Sequence, residues 1–242
     1  MELARPRIGI TCRFDHSKAS YRLDERYVRQ VILAGGLPLI VPFESATNHA
    51  SLLGTLDGLL LSGGEDIHPD LSGGGPVQND YTYYPERDRF ELSLASQAIS
   101  MGLPILGICR GSQILCVASG GMLIPDLPND SAATIRHRID RKTPSTHAVT
   151  LLPGSRVAEA HARVRLVVTS YHHQGIRVDD AAETEWRVTA RSDDGAVEAI
   201  ERIGDTWIVG ALWHPEILVE ESTTPSLLIA QFVREGRRAY AY

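Results

Sequence analysis

The stretch that most constrains this chain is Leu103–Gly120, where an apolar segment passes through Gly107-Ile108-Cys109-Arg110-Gly111 into a helical pattern. Pro104–Ile108 has the continuous apolar character of a strand buried on both faces of a parallel sheet. Beyond Ser112, Ile114, Leu115 and Ala118 share one helical face, and Gly120-Gly121 stop it. A cysteine between two glycines, at the junction of a strand and a helix, has the layout of a nucleophile elbow. The chain must reverse sharply there, so the central residue is strained and its neighbours must be small. Cys109 would stand at a helix N-terminus, where the macrodipole and unpaired N–H groups favour a thiolate. The competing reading is a small core cysteine packed between strand and helix.

Short apolar runs alternate with helical patterns along the rest of the chain. Arg7–Thr11 reads as an edge or near-edge first strand, and Cys12, which ends it, as structural. Tyr21–Ala34 reads as a helix with Tyr27, Val31 and Ala34 on one face and Gly35-Gly36 as its stop. Strands at Leu37–Val41 and Asp57–Leu61 bracket a short helix at Ala46–Leu53, and Pro85–Met101 forms a longer helix. Arg87, Asp88, Arg89 and Glu91 read as the solvated face of that helix. Met122–Leu127, Ala148–Leu152, Val164–Val168 and Trp186–Ala190 are further strand candidates. Ala196–Arg202 and Thr206–Leu212 pair as a hairpin around Gly204-Asp205, and Thr224–Arg237 is an amphipathic C-terminal helix. The expected architecture is α/β: a three-layer sandwich with a mostly parallel central sheet flanked by helices, plus a C-terminal antiparallel hairpin, in one domain over residues 1–242. Ser62–Pro85 is polar and long for a loop inside a domain, and is expected to act as a lid.

A cysteine nucleophile needs a base and a group to hold the developing oxyanion. Trp213-His214-Pro215-Glu216 follows the last apolar strand, and His214 and Glu216, two residues apart, can point the same way. One imidazole nitrogen would then face the thiol and the other the carboxylate. Ser62-Gly63-Gly64 leaves the carboxyl end of a strand, where backbone N–H groups can approach a substrate oxygen. The Arg110 N–H, next to the nucleophile, would be the second donor.

Other chemistry is set aside on composition and pattern. A net charge of −6 with no long basic run argues against nucleic acid as a partner. No segment approaches the about 18 apolar residues of a membrane span, and the N-terminus lacks a signal-peptide pattern. Three scattered cysteines suit a reducing cytoplasm. Asn129-Asp130-Ser131 matches a glycosylation acceptor, read here as chance. His172-His173 is not read as a metal site, because neighbours on a strand face opposite ways and no Cys or Asp is close in sequence. No metal and no organic cofactor are expected.

Leu61-Ser62-Gly63-Gly64-x-Asp66, Gly107-Ile108-Cys109-Arg110-Gly111-x-Gln113 and Trp213-His214-Pro215-Glu216, in that order, resemble the class I glutamine amidotransferase-like fold, a flavodoxin-like architecture. Pro85-Glu86-Arg87-Asp88-x-Phe90-Glu91 and Ser170-Tyr171-His172-His173-Gln174 are similar to the γ-glutamyl hydrolase branch, peptidase family C26. The resemblance implies Cys109 as nucleophile, His214 as base and Glu216 as its orienter. It implies the Gly64 and Arg110 N–H groups as oxyanion hole, with Gln113, Ser170, Tyr171 and His172 bordering a γ-glutamyl pocket. The implied reaction is hydrolysis of a γ-glutamyl amide through a thioester, with a small-molecule substrate and no cofactor. A glutaminase subunit feeding ammonia to a synthase uses the same triad and is the first alternative; a catalytically silent γ-glutamyl-binding protein is the second. Homodimer formation is compatible with the sequence.

Overall fold

Continuous apolar runs become strands that feed both faces of one sheet. The computed structural model describes residues 5–44, 48–73, 82–127, 135–140, 143–177, 185–217 and 223–238. In chain order the elements are β1 (Arg7–Thr11), β2 (Arg13–Asp15), β3 (Ser20–Arg22), α1 (Glu25–Leu33), β4 (Leu37–Val41), α2 (His49–Leu53) and β5 (Gly58–Leu61). There follow α3 (Pro69–Ser72), α4 (Pro85–Ser100), β6 (Ile105–Ile108), α5 (Arg110–Ala118), β7 (Met122–Ile124) and β8 (Ser145–Leu151). The chain continues through α6 (Arg156–His161), β9 (Arg165–Ser170), β10 (Gly175–Arg177), β11 (Trp186–Ser192), β12 (Val197–Arg202), β13 (Ile208–Ala211) and α7 (Leu227–Arg238).

Nine strands form one sheet in the order β4-β1-β5-β6-β13-β12-β11-β8-β9. The ladders from β4 to β13 are parallel, and those from β13 to β9 antiparallel. Alternate side chains enter two cores. Ile8, Ile10, Leu60, Leu106 and Ile108 pack on one face with Tyr27 and Val31 of α1 and Phe232 of α7. Leu59, Leu61 and Ile105 pack on the other with Leu94 of α4 and Ile114 and Leu115 of α5. Burial on both sides is why β5 and β6 are apolar at every position.

The expected α/β architecture is therefore present, with several differences. The expected hairpin β12–β13 is present, its β13 strand pairs in parallel with β6, and it opens a longer antiparallel half. Glu198 and Glu201 of β12 are buried. The first helix begins at Glu25, four residues later than expected, because Asp24 caps it by accepting the Arg26 N–H at 3.0 Å. The chain ahead of it instead forms the hairpin β2–β3. Arg87, Asp88 and Glu91 are not solvated; only Arg89 of that set is exposed. Within the supposed lid, residues 69–72 are helical. Residues 74–81, the start of the 46–53 helix and the 129–131 acceptor pattern lie outside the described residues. No helix among the described residues is long and apolar enough to cross a membrane.

Candidate active site

Strand β6 delivers Cys109 and helix α5 carries the chain away. Cys109 has φ 52° and ψ −109°, a conformation that only a tightly constrained side-chain-bearing residue holds. Such strain is on the order of 1–3 kcal/mol and must be supported by packing around it. The flanking glycines explain that support. A methyl on Gly107 would lie 2.5 Å from the Gly111 carbonyl oxygen, and one on Gly111 would collide with the Leu61 carbonyl. Backbone from β5, the elbow and α5 is thus in direct contact.

His214 and Glu216 follow β13, the parallel neighbour of β6. The His214 N–H donates to the Thr169 carbonyl at 2.8 Å, fixing the turn. In the side chain, Nδ1 lies 2.6 Å from Glu216 Oε1, so Nδ1–H donates to the carboxylate and Nε2 turns toward Cys109. Tyr171 meets the imidazole edge to face at 5.3 Å. A methyl on Gly63 would lie 3.2 Å from His214 Cε1 and 3.8 Å from Cys109 Cβ, which shows how tightly β5, β6 and β13 converge.

Burial opposes a charged His214, yet the Glu216 carboxylate and the Cys109 thiolate outweigh it and hold the pKa well above the ordinary imidazole value. A pKa raised by folding adds stability in full below the unfolded value of about 6.5, and that stability is lost as pH rises through the folded value. Glu216→Gln removes the larger attraction. It is expected to lower the His214 pKa and to move the alkaline loss of stability to lower pH. Proton NMR titration of the His214 ring reads this directly; an unchanged titration would remove Glu216 from the orienting role.

Among the described residues, neither the Gly64 N–H nor the Arg110 N–H has an acceptor. Two groups that the sequence pattern does not place at the site hold this turn. Tyr27 of α1 accepts the Gly63 N–H at 3.0 Å, and its phenol faces Glu216, with burial the larger and Glu216 the lesser reason its pKa lies well above the ordinary value. The second is a buried ionic network. Arg87 reaches Glu91 Oε1 at 2.9 Å, Glu65 Oε2 at 3.2 Å, and the Ser62 hydroxyl and Gly63 carbonyl at 3.1 Å each. The Arg110 guanidinium pairs with Asp88 and Glu91. A methyl on Gly64 would meet the Arg87 guanidinium, so a side chain there would displace Arg87 from its bonds to Ser62 and Gly63. The sequence signal for this network is the charge string in α4, whose surroundings are protein rather than the expected solvent.

A cavity of about 300 Å³ opens at these groups, lined by Cys109, His214, Gly64, Gln113, Tyr171 and His172 among others. Gln113 Nε2 donates to the Gln174 carbonyl at 3.2 Å, tying α5 to the pocket wall. Ser170, wholly buried, stands behind the wall rather than in it. His172 and His173 do face opposite ways. His173 binds Asp66 at 2.8 Å, whereas His172 joins a buried group with His137, His147 and Glu198 that sequence proximity does not suggest.

The structure thus sets a cysteine elbow at the exit of a central parallel strand beside a His–Glu pair at the neighbouring strand's exit. The glutaminase domain of Trypanosoma brucei CTPS with bound acivicin shares the fold, with a TM-score of 0.65 at 14% identity over 96% of this chain and 94% of that one. The peptidase C26 family profile matches residues 6–216, and the chain belongs to that family of glutamine amidotransferase-like hydrolases. Protein NtpR of Enterococcus hirae is 33% identical over 231 residues, covering 94% of this chain and 95% of the relative. A γ-glutamyl-γ-aminobutyrate hydrolase of Escherichia coli O157:H7 is 33% identical over 240 residues, covering 94% and 92%.

Proposed function

We propose that this protein hydrolyses γ-glutamyl amides through a γ-glutamyl thioester. Cys109 Sγ attacks the γ-carbonyl carbon, forming a C–S bond while the carbonyl oxygen takes up negative charge. The Gly64 and Arg110 N–H groups stabilise that oxyanion. His214 passes its proton to the departing nitrogen as the C–N bond breaks. Water then loses a proton to His214 and adds to the thioester carbon, and cleavage of the C–S bond releases glutamate and restores the thiolate–imidazolium pair. The observation that carries this reading is the strained Cys109 at the elbow together with the His214–Glu216 pair, both lining one cavity with Gly64.

The charge of the cavity supports a γ-glutamyl group. Glu65 and Asp66 supply carboxylates suited to an α-ammonium, while Arg13 and Arg138 supply guanidinium groups suited to an α-carboxylate. On the other side of His214, a second cavity of about 290 Å³ is lined by Arg13, Arg22 and Arg26. Asp24, paired with Arg26, and Glu216 line it too, and the three guanidinium groups against these two carboxylates favour a departing amine that carries its own carboxylate, such as γ-aminobutyrate.

The test is glutamate release from γ-glutamyl-γ-aminobutyrate, γ-glutamylputrescine and glutamine by the chain alone. Turnover should be greatest for the amide whose amine bears a carboxylate. Activity on glutamine only, and only in the presence of a synthase, would replace the hydrolase reading with that of a glutaminase subunit.

A further inference from the structure

Four buried side chains from four separate segments converge away from the nucleophile: His137, His147 of β8, His172 and Glu198 of β12. Their nearest ligand atoms lie within 4.8 Å of one another, and all four residues are more than nine-tenths buried. His137 Nδ1, His147 Nε2 and His172 Nε2 stand 2.9, 3.6 and 3.4 Å from Glu198 Oε1. Tetrahedral coordination at about 2.0–2.1 Å puts ligand atoms about 3.3–3.4 Å apart, and the three separations bracket that spacing.

The outer nitrogens set the tautomers. His137 Nε2 lies 3.1 Å from Asp194 Oδ2, His172 Nδ1 lies 3.2 Å from the Gln174 carbonyl, and His147 Nδ1 lies 3.4 Å from the Ala148 carbonyl. Each partner is an acceptor, so in the neutral imidazoles an outer N–H donates to it and the inner nitrogen presents a lone pair toward Glu198. None of the three inner nitrogens, and neither Glu198 oxygen, has an aligned hydrogen-bond partner among the described residues. Three lone pairs and a carboxylate then face one another among side chains that are more than nine-tenths buried. Buried acceptors without donors are costly, and a cation between them removes the conflict. An imidazole whose far N–H is held by a carboxylate or carbonyl is also the usual outer-shell arrangement of a metal ligand.

We propose that His137, His147, His172 and Glu198 bind one divalent transition-metal ion, with zinc the best match to three imidazoles and one carboxylate. Four protein ligands leave no open position, so the ion is structural rather than catalytic. It would join β8, β12, the 135–140 segment and the 170–174 segment. His172 follows Tyr171 in the wall of the substrate cavity, and the Glu198 carbonyl accepts the Leu212 N–H at 2.8 Å, two residues before His214. His137 and His172 also line a cavity of about 300 Å³ through which an ion can reach the site. The ion would brace the pocket wall without touching the reacting atoms.

The experiment reads metal rather than turnover, so its outcome is separate from the hydrolase reading. The full chain is stripped by chelation, refilled with Zn²⁺, and its metal content measured by plasma mass spectrometry. About one equivalent per chain is expected, with a melting temperature that falls on stripping and recovers on refilling. In a Cys109→Ala background, which removes the competing site thiolate, Co²⁺ should give tetrahedral visible bands without thiolate charge-transfer absorption. Glu198→Gln and His147→Gln should lose the stoichiometric ion, while Asp194→Asn should weaken it by about 10–100-fold. Refilled wild-type protein that stays folded without bound metal would overturn the proposal. So would full occupancy in both Glu198→Gln and His147→Gln, or a cobalt spectrum dominated by thiolate ligation.

Discussion

Cys109→Ala is expected to lower kcat/KM for γ-glutamyl amides by at least about 10⁴-fold, the scale on which removal of a catalytic nucleophile acts in related triads. The other cysteines offer no substitute. The Cys12 thiol donates to the Val41 carbonyl at 3.4 Å, and burial pushes its pKa up to about 11. Cys116 Sγ faces the Met122 carbonyl at 3.7 Å, two turns along α5 from the elbow. The variant keeps Cβ and the strained backbone, so the fold and the oxyanion donors persist. Substrate binding measured by calorimetry should therefore survive while glutamate release disappears. Turnover equal to the wild type would remove Cys109 from the mechanism.

Breaking the ionic network beneath the elbow should have the largest effect on stability. Glu91 is wholly buried and pairs with both Arg87 and Arg110, so Glu91→Gln leaves two guanidinium groups short of a partner. Removing one member of such a buried set costs about 3–5 kcal/mol, because the desolvated charge that remains is uncompensated. Denaturant midpoints for Glu91→Gln and Arg87→Met should both fall by that order; a change below about 1 kcal/mol would mean the charges are hydrated in solution. The pH dependence gives a second reading. Burial raises the Glu91 pKa, but Arg110 and then Arg87 outweigh it and hold it below the ordinary carboxylate value. A depressed pKa stabilises the fold above the unfolded value of about 4.3, and that contribution is lost as pH falls through the folded value. The wild type should lose stability on this acid arm, and Glu91→Gln should lack that part of the loss. Because Arg87 also holds the Ser62 hydroxyl and the Gly63 carbonyl, its replacement should reduce kcat by loosening the oxyanion turn.

Much of the site is legible in the sequence because its parts sit at strand exits. Ser62-Gly63-Gly64, Cys109 and His214 each follow a short apolar run, and β5, β6 and β13 are adjacent parallel strands, so their carboxyl ends lie together. Less legible are groups whose roles depend on distant neighbours. Tyr27 reads as one apolar member of a helix face, while its hydroxyl bonds to a residue 36 positions away. Arg87, Asp88 and Glu91 have a spacing that is the same whether the helix face meets water or another charged residue. Only the approach of Arg110 on α5 distinguishes the two cases.

On its own, the amino-acid sequence determined the local chemistry: the strand-to-helix reversal at Cys109, the flanking glycines that make it sterically feasible, and the pairing of His214 with Glu216. These depend on steric rules and periodicities acting over a few residues. The tertiary structure decided which charges are buried, which tyrosine holds the Gly63 N–H, and that His137, His147, His172 and Glu198 meet. The first two depend on how α1, α4 and α5 pack against the parallel half of the sheet, and the last on the register of β8, β9 and β12 in the antiparallel half, which brings residues tens of positions apart into contact. No local pattern encodes that register, because it is set by the packing of both sheet faces together.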